Sequence, residues 1–191
     1  MPLLLPVLVR GINNLSDARY CAGMGADGLI FTLDPALPGA VDVATVKELA
    51  GWVAGVEIIG EFGGEIPVSE INRLVEECGL TRIVLNLPAA APFPEGPVAV
   101  PALVEVSAAA ADTLVRLRTV LTAGFELISP LDGAAGSPQP LWLSGNPAPA
   151  QVADLIARLQ PAGLILQGGD EIKPGIRDFD ELEAIFEALE E

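Results

Sequence analysis

Histidine is absent from the 191-residue chain, and with it go the commonest general base, the Ser-His-Asp triad and imidazole metal ligation. Cysteine is scarce. Cys21 and Cys78 lie far apart and fall in no C-x-x-C pattern, which argues against a disulfide framework or a thiolate zinc site and points to a cytoplasmic protein. Positive charge is scarce as well: 10 Lys and Arg stand against 26 Asp and Glu, a formal charge of −16 that repels nucleic-acid phosphates and anionic membrane surfaces. No apolar run approaches the roughly 18 residues a membrane helix needs. The opening stretch Leu3 to Val9 is interrupted by Pro6 and follows no basic segment, so it does not read as a secretory signal. There is no EF-hand, no P-loop and no ordered metal-ligand spacing, and neither a metal nor a cofactor is expected.

Apolar residues are plentiful, at 51% of the chain. That is enough to bury one substantial core, and the length argues for a single domain over residues 1–191. The acidity keeps this apolar protein soluble. Glu181, Glu183, Glu187, Glu190 and Glu191 read as a solvated helix face, as do the pairs Glu76-Glu77 and Asp180-Glu181.

Short aliphatic runs alternate with amphipathic segments in a βαβα order. Eight strands are predicted: Val7 to Arg10, Gly28 to Leu33, Val56 to Gly60, Arg82 to Asn86, Val98 to Glu105, Phe125 to Ser129, Leu141 to Ser144 and Leu164 to Gln167. Their near-continuous apolarity suits parallel strands covered by helices on one side and packed on the other. Helices are predicted over Asp17 to Met24 behind Ser16 as cap, Glu70 to Glu77 behind Ser69, and Ala150 to Leu159 opened by Pro149. Others fit Val43 to Val53, Ala108 to Leu121 and Asp180 to Leu189. The proline-rich connection 88–97 and the glycine-rich connection 132–138 read as loops in place of outer helices. The fold class is therefore α/β, a small (β/α)8 TIM barrel, with an open doubly wound sheet as its competitor.

The segment VLVRGINNLSDARYCAGMGADGLIF, Val7 to Phe31, resembles the start of phosphoribosylanthranilate isomerases, where K-I-C-G-I-T-N-L-x-D-A leads into a helix and then G-A-D-x-x-G-F. LWLSGNPAPAQVADLI resembles that family's L-A-G-G-L-x-P-x-N-V segment, and GGDEIKPGIRD its S-S-G-V-E-x-x-P-G-x-K-D signature. With GVEIIGEF these stretches extend the resemblance over nearly the whole chain, although the middle matches poorly. The resemblance implies the Amadori rearrangement of tryptophan biosynthesis, in which an acid opens the ribose ring and a base removes a proton from the neighbouring sugar carbon.

The positions that carry this chemistry in the family are occupied differently here. Arg10 stands at the place of the cysteine base, and a guanidinium stays protonated at any relevant pH. The stretch matching the family's aspartate acid, Glu126 to Ser129, offers Ser129, and the segment Asp34 to Val41 lacks the arginine that holds the anthranilate carboxylate. The phosphate end depends more on backbone geometry: Ser144, Gly145 and Asn146 follow the seventh strand, and Gly168 and Gly169 follow the eighth. The implied ligand is a phosphorylated sugar or another small anion. Those glycines also suit plain tight turns, and the adjacent Asp170 and Glu171 oppose an anion unless they turn away or pair with Arg10 or Lys173.

Arg10 has two readings. It clamps an anionic ligand group, or it forms an internal salt bridge to Asp34, Glu61 or Glu171, the usual state of a buried arginine. Asp132 and Glu171 are candidates for a relocated acid and base, although Asp132-Gly133 is also ordinary turn chemistry. Cys21, Cys78, Trp52, Trp142 and Tyr20 read as core. Three functions follow: a phosphosugar-binding barrel without the ordinary isomerisation, a non-catalytic scaffold, or an isomerase working through Asp132 and Glu171.

Overall fold

The computed structural model describes residues 3–87, 95–106, 117–131, 141–168, 171–173 and 176–190. Eight parallel strands close into a barrel in sequence order, and the pairing of β1 (Val7–Arg10) with β8 (Gly163–Gln167) excludes the open sheet. Between them lie β2 (Gly28–Thr32), β3 (Glu57–Gly63), β4 (Arg82–Leu87), β5 (Ala102–Val106), β6 (Phe125–Pro130) and β7 (Leu141–Ser144). A two-stranded antiparallel ribbon, β9 (Glu171–Lys173) with β10 (Ile176–Arg177), follows β8. The first half of the predicted fifth strand, Val98 to Pro101, is irregular; the strand begins at Ala102.

The outer layer comprises α1 (Leu15–Gly23), α2 (Val43–Trp52), α3 (Val68–Cys78), α4 (Val152–Leu159) behind a 3-10 turn at Pro149–Gln151, and α5 (Asp180–Leu189). Two caps differ from expectation. Asn14 rather than Ser16 caps α1, its side chain accepting from the Asp17 amide at 2.9 Å, because the helix already begins at Leu15. Helix α3 starts at Val68 after Pro67, without a side-chain cap, so Ser69 lies inside its first turn. Of the helix expected over Ala108 to Leu121, only a helical stretch at 117–120 falls within the described residues. The expected loop 132–138 lies outside them, as does 88–94 of the other.

Strand alternation sorts the core into two shells. Leu8, Ile30, Ile59, Val84, Leu103, Ile128, Trp142 and Ile165, one from each strand, fill the barrel axis. The alternate residues, such as Val9, Leu29, Phe31, Ile83 and Leu164, pack outward against the helices. Trp142 fits the narrow interior because the neighbouring strand offers no side chain. A Cβ on Gly163 would lie 2.3–2.7 Å from three atoms of the Trp142 ring. The indole donates to Glu126 at 2.7 Å, and Arg82 lies 5.5 Å over the ring, closing the N-terminal end of the barrel. Gly163→Ala is therefore expected to cost about 1–3 kcal/mol through displacement of the ring, read as a lower urea midpoint by circular dichroism. An unchanged midpoint would show that the ring can move freely.

Cys21 and Cys78 are buried as expected, and Tyr20 stacks on Phe179 with ring centroids 4.1 Å apart. Trp52 departs from expectation: it is 58% exposed, because it ends α2 on the outer surface, where Arg19 lies 5.0 Å from its ring. The C-terminal glutamates at 181, 183, 187 and 190 are exposed, as are Glu76 and Glu77. Among the described residues, no helix is long and apolar enough to cross a membrane.

Candidate functional site at the barrel mouth

Two residues beyond each axial apolar side chain, the strands turn a second set of positions inward at their C-terminal ends. On β1 to β5 these are Arg10, Thr32, Glu61, Asn86 and Glu105, and on β7 and β8 they are Ser144 and Gln167. The barrel floor is thus apolar and its mouth polar.

Glu61 is the hub of this ring. It is buried, with a side chain only 6% exposed, and such a carboxylate is stable only when its oxygens are paired. Thr32 Oγ1 donates to Oε2 at 3.0 Å, Asn86 Nδ2 donates to Oε1 at 2.6 Å, and Arg10 Nε forms an ion pair with Oε1 at 3.3 Å. Arg10 also donates from Nη2 to Glu105 Oε2 at 2.9 Å. The internal salt bridge expected for Arg10 is present with Glu61. Asp34 is not its partner: that carboxylate accepts the Ala36 and Gly63 amides, each at 2.9 Å, and pins the turn after β2 to the end of β3. Glu105 was not among the sequence candidates. The signal that could have found it is the recurring pattern of an axial aliphatic residue, one outward residue, then a polar one.

Ser129 does not enter the mouth. Its neighbour Ile128 points into the barrel, so Ser129 takes the opposite side of β6, and its hydroxyl donates to the Pro130 carbonyl at 3.2 Å. Both thiols sit in the outer core between helices and strands, and burial pushes the Cys78 thiol up. Asp132 and Gly169 lie outside the described residues, as does the side chain of Glu171 in β9.

The turns after β7 and β8 are locked together. Asn146 Oδ1 accepts the Gln167 amide at 2.9 Å, while its Nδ2 donates to the Gln167 carbonyl at 3.4 Å and to Glu181 at 3.1 Å. Gly145 has φ 131°, where any other residue is strained. Its amide donates to the Ile165 carbonyl at 3.0 Å, and the Gly168 amide to the Arg10 carbonyl at 2.9 Å. Those two amides are engaged in holding the rim. Of the polar groups expected at a phosphate, the Ser144 hydroxyl stands at the end of β7, beside β8. Among the described residues no group of three or more His, Cys, Asp or Glu could hold a metal ion.

These features define a small (β/α)8 barrel whose C-terminal mouth, among the described residues, is lined by Arg10, Glu61, Glu105 and neutral polar side chains. No family model matches the chain. Comparison with known proteins nevertheless narrows the likeness: the chain is similar to phosphoribosylanthranilate isomerases in sequence and shares their barrel fold. The N-(5'-phosphoribosyl)anthranilate isomerase of Myxococcus xanthus is 28% identical to it over 207 aligned positions, which cover 95% of this chain and 94% of that protein. That of Deinococcus radiodurans is 28% identical over 204 positions, covering 96% and 95%. A solved phosphoribosylanthranilate isomerase, in complex with reduced 1-(O-carboxyphenylamino)-1-deoxyribulose 5-phosphate, shares the fold with a TM-score of 0.72 at 19% identity, over 97% of this chain and 98% of that one.

Proposed function

We propose that this barrel binds a phosphorylated sugar, or a similar small phosphorylated anion, on the β7–β8 side of its mouth and does not carry out the ordinary Amadori isomerisation. The observation that carries the reading is Arg10. It stands where the resemblance puts the cysteine base, and its guanidinium is held between Glu61 and Glu105 at 3.3 and 2.9 Å. A permanently protonated group fixed by two carboxylates accepts no proton. The outward Ser129 and the absence of arginine from the segment Asp34 to Val41 support the same conclusion.

The ligand side rests on the resemblance of both rim segments to the isomerases and on the rigid joining of the two turns through Asn146. A preorganised rim lowers the cost of ordering on binding. Titration of the purified protein with ribose 5-phosphate in a calorimeter is expected to give a dissociation constant below about 1 mM. Gly168→Trp is expected to abolish that heat by filling the rim, whereas no heat from the unaltered protein would overturn the reading.

A further inference from the structure

The ion pair between Arg10 and Glu105 has an unusual span. In the closed eight-stranded order, β1 and β5 are four strands apart in either direction, so the two side chains meet across the barrel mouth. Glu61 on β3 holds the same guanidinium from the side. The result is a bar across the axis above the apolar floor of Leu8 and Leu103.

The bar has a definite chemical preference. One guanidinium and two carboxylates leave a formal charge of −1, so the centre of the mouth repels a second anionic group. Two acceptors around the bar have spare capacity among the described residues. Asn86 Oδ1 is buried without a hydrogen-bond partner, and among the described residues Glu105 is paired only through Oε2. The Glu105 side chain is 37% exposed, against 6% for Glu61, so Glu105 is the carboxylate that meets an incoming molecule.

We propose that Glu105, held by Arg10, is the hydroxyl-binding group of the mouth: it accepts hydrogen bonds from the sugar hydroxyls of the bound phosphosugar and disfavours ligands that carry an additional carboxylate. This rests on the proposed phosphosugar binding at the rim and names which part of the ligand lies over the bar. A carboxylate accepting from a hydroxyl forms a charge-assisted bond, while the guanidinium fixes the carboxylate's orientation.

The test compares ribose 5-phosphate with inorganic phosphate by calorimetry on the unaltered protein, Glu105→Ala and Glu105→Gln. The unaltered protein is expected to prefer ribose 5-phosphate at least about tenfold. Glu105→Ala should remove most of that preference while inorganic phosphate binds unchanged or more tightly, since Arg10 then keeps only Glu61 as a partner among the described residues. Glu105→Gln, which keeps the shape, should fall between the two. Circular dichroism checks that both variants are folded. The reduced carboxyphenylamino-deoxyribulose 5-phosphate should bind no more tightly than ribose 5-phosphate. A full preference for ribose 5-phosphate in Glu105→Ala, or much tighter binding of the carboxylate-bearing compound, overturns the hydroxyl subsite and leaves the phosphate reading standing. Failure of the unaltered protein to bind either phosphate overturns both.

Discussion

Phosphoribosylanthranilate mixed with the purified protein is expected to lose its fluorescence at the background rate, at least about 10⁴-fold more slowly than with an isomerase carrying cysteine and aspartate at the matching positions. Positioned acid and base groups each contribute about 10²–10⁴-fold, and the proposed reading assigns Arg10 and Ser129 to the matching positions. Arg10 is cationic and bound by two carboxylates, and Ser129 faces away from the mouth with its hydroxyl on a carbonyl. The electrostatics add to the loss, because the substrate's carboxylate would approach Glu61 and Glu105, which among the described residues outnumber Arg10 at the mouth. The measurement is continuous fluorescence with a cysteine-containing relative as positive control. Turnover within about 100-fold of that control would mean that other residues supply the acid and base.

Arg10→Met should destabilise the fold by about 3 kcal/mol, the scale of breaking a buried ion pair from one side. The cost arises from what remains. Glu61 is only 5% exposed and would keep its hydrogen bonds from Thr32 and Asn86 while losing Arg10, its one cationic partner among the described residues. The double substitution Arg10→Met with Glu61→Leu is expected to recover much of the loss, since well-packed apolar groups of similar volume often replace a buried pair without penalty. Urea unfolding of the unaltered protein and the two variants decides it. If Arg10→Met unfolds at the same midpoint as the unaltered protein, Glu61 reaches water more readily than its burial implies.

Much of the fold is legible in the sequence. The strands Val7–Arg10 and Leu141–Ser144 and the helix Asp180–Leu189 have the boundaries their patterns predict, because aliphatic runs between turn residues and apolar spacing at helical period are local signals. The misses have local causes too. Asn14 and Ser16 are both good caps, and only the backbone shows which one precedes the first helical residue. Trp52 reads as core by residue type, yet it ends a helix on the outer surface.

The mouth is legible only in part. That Arg10 faces inward follows from its motif position, and Glu61 was foreseen as a partner. Glu105 was not, because it lies 95 residues away in a segment with little resemblance to the family.

The sequence by itself carried the βαβα grammar, the eight strands and an arginine at the end of the first. The tertiary structure alone decided that the sheet closes, that Ser129 turns away, and that β1 faces β5 so that Arg10 reaches Glu105. The division has a physical reason. Strand and helix periodicities repeat over a few residues and are written in neighbouring side chains, whereas contacts across a barrel depend on strand number and stagger, which are fixed only when the last strand meets the first.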